Sequence, residues 1–184
     1  METKPRTLFN NALIYGLLTA VVSIAFSVLT YVLDVPFKSP VMYFSFIILI
    51  AGVVYGTLQY RNIYSGGYLS FGKAFLSGFF IVLTAIIITT IYTYVFMTII
   101  DPSFLDKVVE QSLEQAETKM MEKGLSEDQM GPALEITKKM MSPAWLTIMG
   151  LISNLIFGSI IALIAAIFTK KEDKTFQSQF KDVQ

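Results

Sequence analysis

The chain has 184 residues, 54% hydrophobic and only 15% charged, with a mean hydropathy of +0.60; an ordinary soluble domain is roughly 25% charged. Fourteen Lys and Arg balance fourteen Asp and Glu, so a net charge of zero leaves no electrostatic footprint for nucleic acid. There is no cysteine and no histidine, which removes thiol chemistry, disulfides, the commonest metal ligand and the usual acid–base side chain of neutral pH.

A helix needs about 20 apolar residues to cross a hydrocarbon core about 30 Å thick, because lipid offers no partner for backbone polar groups. The first segment that qualifies runs over 11–33. It follows Lys4 and Arg6 but is too long for the apolar region of a signal peptide, so it predicts an uncleaved anchor. Ala12, Gly16 and Ala20 recur at four-residue spacing on it and predict a close helix contact. A short loop from Asp34 to Pro40, with Lys38, leads to a second span over 41–60 that carries the pair Gly52 and Gly56. The third span is predicted over 73–100, with Lys73 as its only charge. Thr84, Thr89, Thr90 and Thr93 on it can bond their own helix carbonyls. The fourth, over 145–168, has Gly150, Asn154, Gly158, Ala162 and Ala166 in a row four apart, expected to form one packing face with Asn154 bonded to another helix.

Between the third and fourth spans lies an insert over 101–142 with nine acids and five lysines. Ser103, three residues before Asp106, predicts a helix start. Phe104, Leu105, Val108, Val109, Leu113, Ala116 and Met120 form one apolar stripe, and Asp106, Glu110, Glu114 and Glu117 form the opposite face. Gly124 is expected to end the element. Ser126 to Gln129 repeats the capping pattern before a shorter helix with Leu134, Ile136 and Met140. The reading is a helical hairpin. Met120, Met121, Met130, Met140 and Met141 are soft ligands of a kind that suits Cu(I), but as a set they read better as filler of an adaptable apolar face. The acidic row lacks the alternating oxygens and turning glycine of a calcium loop.

The turn from Tyr60 to Phe75 is the most distinctive stretch. Gly66 and Gly67 permit a sharp reversal, Tyr60, Tyr64, Tyr68 and Phe71 suit the headgroup boundary, and Arg61 and Lys73 can meet lipid phosphates or a cytosolic partner. The tyrosine–arginine end of the second span, the run Gly-Gly-Tyr-Leu-Ser-Phe-Gly-Lys-Ala-Phe at 66–75 and Gly78 resemble the family called domain of unknown function 4199. So do the four-span layout, the polar insert and the lysine-rich tail. That resemblance implies a small inner-membrane protein of Bacteroidota, and it brings no catalytic residues with it.

The fold class expected is therefore all-α, one integral membrane domain of four helices with an extramembrane helical hairpin between the third and fourth spans. An even span count puts both termini on one side, with Lys4, Arg6, Arg61, Lys73, Lys170, Lys171, Lys174 and Lys181; the excess of basic residues predicts that side to be cytoplasmic. No catalytic, cofactor or metal residues are expected. Gly16, Ala20, Gly52, Gly56, Gly150, Asn154, Gly158 and Ala162 are the candidate packing residues. Arg61, Gly66, Gly67, Tyr68 and Lys73 are the candidate contact turn. The partners expected are membrane lipids and either other membrane proteins or further copies of the chain. The spans hold no ionisable residue of the kind ion carriers keep at membrane depth, which favours a non-enzymatic accessory or scaffold subunit over a small oligomeric transporter or channel. A lipid-acting enzyme would need interface carboxylates such as Asp34 or Asp101.

Overall fold

Thr7 opens the first helix: its side-chain oxygen accepts from the Asn10 backbone N–H at 3.2 Å, and α1 runs over Leu8–Val32. It stops where Asp34 adopts a φ of 49°, which brings the Val35 N–H to the Thr30 carbonyl at 2.9 Å. Ser39 and Pro40 start the next span through a single 3-10 turn, followed by α2 (Phe44–Gln59) and a wide π-type turn over Tyr60–Tyr64. Gly66 (φ 63°) and Gly67 (φ 83°) then reverse the chain, in a backbone region that side chains with a Cβ rarely enter. Next come α3 (Phe71–Val95), a second wide turn over Phe96–Ile100, α4 (Pro102–Glu122), α5 (Glu127–Met140) and α6 (Pro143–Thr169).

This computed structural model describes residues 7–36 and 39–172, with the backbone alone at 127–129 and 139–140. The expectations for Lys4, Arg6, Lys38, Lys174 and Lys181 lie outside the described residues, as do those for the side chains of Gln129, Lys139 and Met140. Among the described residues the architecture is helical, and the one β-type pairing is an isolated bridge between Leu69 and Lys171.

Four helical stretches are long and apolar enough to cross a membrane: Leu8–Val32, Pro40–Tyr64, Phe71–Ile100 and Pro143–Thr169. All four predicted spans are there. Three extend past a predicted limit where a cap or a wide turn adds residues: Thr7 at the first, the Tyr60–Tyr64 turn at the second, Pro143 in the first helical position at the fourth; the third starts two residues early, at Phe71.

Backbone contacts divide the chain into two compact units, Met1–Thr89 with Ser153–Gln184, and Thr90–Ile152. The first has the apolar exterior that a soluble protein lacks. Ala12, Ala20, Ala74, Ala85, Ala162, Ala165 and Ala166 are buried, while Leu17, Val21, Ile47, Ile156, Phe157 and Phe168 are exposed. Alanines closing the helix contacts beside a few larger side chains such as Val53, Ile81 and Val82, with large apolar residues covering the outer surface, is the pattern of helices that associate in lipid. With four spans of this kind, the chain is a membrane-integral protein.

In the second unit, Asp101 is the N-cap of α4, accepting from the Ser103 N–H at 3.1 Å and from the Ser103 hydroxyl at 2.6 Å. The cap therefore lies two residues before the one expected at Ser103, because Pro102 fits the first helical position and leaves Asp101 in the non-helical conformation a cap requires. The predicted stripe from Phe104 to Met120 is half-buried throughout, and Asp106, Glu110, Glu114 and Glu117 are exposed. Phe104 meets Phe96 edge to face at 5.3 Å. Gly124, at φ 74°, ends α4 as expected. On α5 the inward residues are Met130, Ala133, Leu134 and Thr137. Ile136 is 60% exposed, so it departs from the face expected of it.

Candidate functional site

Two arrangements in the first unit gather the residues singled out in the sequence. The first is the packing of the spans on one another. A Cβ on Gly52 would run into the Thr19 hydroxyl of α1; one on Gly56 would lie 2.7 Å from Tyr15 Cβ and 2.7 Å from Ile81 Cδ1. Gly16 faces Thr84 and the Ile81 carbonyl of α3, and Gly158 of α6 faces Val82 and Ile86. Ala20 and Ala162 are fully buried. The glycine pair of the second span thus works inside its own chain, against α1 and α3.

Gly150 and Asn154 do not share that packed face. A Cβ on Gly150 would meet nothing within 4 Å, and Asn154 is exposed. The reason is geometric. At 3.6 residues per turn, each four-residue step rotates about 40° around the helix, so the four steps from Gly150 to Ala166 turn through about 160°. Positions 158, 162 and 166 point inward, and 150 and 154 have rotated away.

The second arrangement is a clasp between the glycine–tyrosine turn and the end of α6. Leu69 and Lys171 exchange backbone hydrogen bonds in both directions, at 2.7 Å and 2.9 Å. Arg61 donates from Nη1 to the Thr169 carbonyl at 2.9 Å, one of the last carbonyls of α6 that have no partner within the helix. Its positive charge also lies at the negative end of that helix dipole. Leu69 is buried with Ala74 and Ala166, and Tyr60 and Phe75 pack against them. Tyr68 is exposed, with the Lys171 ammonium 5.5 Å from its ring centre, and Lys73 is exposed on the first turn of α3. Of the predicted turn residues, then, Arg61, Gly66 and Gly67 shape the clasp. Tyr68 and Lys73 remain on its surface.

Chemically reactive groups do not converge at either place. Among the described residues no three His, Cys, Asp or Glu are grouped to hold a metal ion. Asp101 is occupied as a helix cap and Asp34 forms a helix-ending turn. A groove of about 340 Å³ between α1 and α2 is lined by Tyr15, Leu18, Val22, Ile48 and Tyr55 and lacks the convergent polar groups of a substrate pocket.

The buried polar side chains escaped the sequence reading: Thr19, Thr30 and Thr169 bond carbonyls of their own helix, and the other three do not. Asn11 is fully buried on α1 and donates from Nδ2 to the Gly56 carbonyl of α2 at 3.0 Å. Thr57 and Ser77 are buried on α2 and α3. Asn11 lies at the N-terminal limit assigned to the first span, where a polar residue excites no notice. Only its partner, 45 positions on, shows that it joins two helices.

With this geometry in hand, comparison with known sequences decides the family. A model described as protein of unknown function (DUF4199) matches residues 14–171. The chain belongs to the DUF4199 family. The matched region takes in the packing glycines and closes on Lys171, the last residue of the clasp. No curated protein and no solved structure matches this DUF4199 chain.

Proposed function

We propose that this DUF4199 protein is a non-enzymatic accessory or scaffold subunit of a membrane complex. In this reading it lies in the bacterial inner membrane, with both termini in the cytoplasm and residues 101–142 forming an extracytoplasmic helical hairpin. The observation that carries the proposal is Asn154. Its side chain is exposed near the middle of α6, with the exposed ring of Phe157 one turn on along the same face. Hydrocarbon offers an amide no hydrogen-bond partner and leaves its desolvation uncompensated. A polar group on an adjacent transmembrane helix would satisfy it, and an interhelical bond of this kind contributes on the order of 1 kcal/mol.

The alternative, a small oligomeric transporter or channel, draws on the same asparagine but also needs glycine faces free to assemble copies around a pathway. Gly16, Gly52, Gly56 and Gly158 are taken up in packing the chain on itself. That favours the subunit reading.

The test is extraction in a mild detergent after in-cell crosslinking, with mass spectrometry of what co-purifies. Wild type is expected to bring down a different membrane protein at a fixed ratio, and Asn154→Leu to lose it while folding normally. Recovery of a lone monomer overturns the proposal. So does recovery of self-assemblies alone that conduct ions or amphiphiles after reconstitution.

A further inference from the structure

Five hydroxyls of the spans are satisfied in one way. Thr19, Thr84, Thr89, Ser159 and Thr169 each donate to the carbonyl four residues back, at 2.7–3.0 Å. That bond satisfies a hydroxyl at membrane depth without outside help. Thr57 and Ser77 are 1% and 0% exposed, yet neither Oγ1 of Thr57 nor Oγ of Ser77 has a hydrogen-bond partner. The third buried side-chain atom in this condition is Oδ1 of Asn11, also at 0% exposure.

The three belong to one layer. Asn11 of α1 bonds the carbonyl of Gly56, the residue before Thr57. A Cβ on Gly56 would touch Ile81, one turn beyond Ser77 on α3, and a Cβ on Gly78 would touch Val53, one turn before Thr57. Since α2 and α3 run in opposite directions, Thr57 and Ser77 lie within about a turn of each other in height. The orientation of the Asn11 amide is set as well: turning it over would put Oδ1 against the Gly56 carbonyl, acceptor against acceptor.

We propose that Asn11, Thr57 and Ser77 hold one buried water molecule at the junction of α1, α2 and α3. A water donates to Asn11 Oδ1 and to one hydroxyl and accepts from the other. Three partners lie within the two to four that a buried water takes. A metal cation suits the layer less well, because no carboxylate there would neutralise it. The water ties three helices together where apolar burial supplies little force between them.

Thr57→Val separates this proposal from an empty layer by sign. An idle buried hydroxyl replaced by a methyl of the same shape leaves stability unchanged or raises it, whereas a hydroxyl on a water loses a bond. The experiment is unfolding in detergent micelles with rising dodecyl sulfate, alongside NMR detection of magnetisation transfer from water to the Asn11 side-chain amide. Thr57→Val and Ser77→Ala are each expected to lower the folding constant about fivefold. The double variant should lose far less than the product, since the water is lost once. Thr57→Ser should keep most of the wild-type value, and wild type should show the water-to-Asn11 transfer. Neutral or stabilising single substitutions without that transfer overturn the proposal. So does a wild-type stability that falls when sodium is replaced by choline, which would mark a cation site.

Discussion

The contact between Gly52 and Thr19 admits a quantitative test of how α1 and α2 are held. A Cβ at position 52 would overlap the Thr19 hydroxyl and lie 2.9 Å from Thr19 Cγ2 and 3.0 Å from its Cβ. Thr19 cannot easily turn aside, because its hydroxyl is bonded at 2.7 Å to the Tyr15 carbonyl and its β-branched side chain is stiff about χ1. Gly52→Ala must therefore separate the helices or break that bond, an overpacking cost of about 1–3 kcal/mol. The intrinsic preference for alanine in a helix returns about 1 kcal/mol, leaving a net loss of up to about 2 kcal/mol. Gly150→Ala, which meets nothing, should be neutral or slightly stabilising. Thr19→Ala removes the two atoms that collide most closely, so Gly52→Ala should cost less in that background, with a coupling on the order of 1 kcal/mol. Circular dichroism followed through dodecyl sulfate unfolding measures the four variants against wild type. Additive Gly52 and Thr19 effects, or equal losses at positions 52 and 150, would refute the packing argument.

Three further outcomes follow from the clasp and the caps. Arg61→Gln withdraws a charged donor from the Thr169 carbonyl and the α6 dipole, a loss of about 1 kcal/mol, and should appear as faster tryptic cleavage after Lys170 and Lys171. Gly67→Val forces a β-branched residue to a φ of 83°, which costs about 1–2 kcal/mol and should lower the unfolding midpoint more than Gly72→Val in open space. Asp101→Ala leaves the Ser103 N–H without its cap, a change of about 1 kcal/mol that hydrogen exchange over the first turn of α4 would record.

The spans were legible because membrane crossing leaves a signal about 20 residues long that no local competitor imitates. The α4 stripe was legible for a similar reason, since its apolar and acidic residues keep helical spacing over five turns. What could not be read depends on distant partners or accumulated rotation. The pairing of Leu69 with Lys171 joins residues 102 apart, with no composition cue at either. Asn11 looks like an interfacial polar residue until Gly56 is placed beside it. The row from Gly150 to Ala166 misled because four-residue spacing holds one face only for two or three steps. At Asp101 and Ser103 both residues can cap a helix, and the proline between them decided which does.

The proposed orientation has a test that the composition makes convenient, since the chain has no cysteine to remove. Basic residues near span ends set topology, and acids count for little. Arg61, Lys73, Lys170 and Lys171 all lie at the end of the first unit that carries the clasp, with Lys4, Arg6, Lys174 and Lys181 on the same side in sequence order. On the other side in sequence order are Lys38 of the short loop and Lys107, Lys138 and Lys139 of the insert. Eight against four is a bias that a few substitutions can erase. Ser70→Cys and Glu122→Cys place single thiols at exposed positions, one before and one after the third span in sequence. A membrane-impermeant maleimide applied to cells with opened outer membranes should label position 122 directly and position 70 only after lysis. Replacing Lys73, Lys170, Lys171 and Lys174 by glutamine equalises the count at four each, so a fraction of the chains should then label at position 70 from outside. Labelling of position 70 from outside in the otherwise native protein would invert the orientation and place the clasp on the external face. A cytosolic partner for the clasp would then be impossible, while the Asn154 argument, which depends only on membrane depth, would stand.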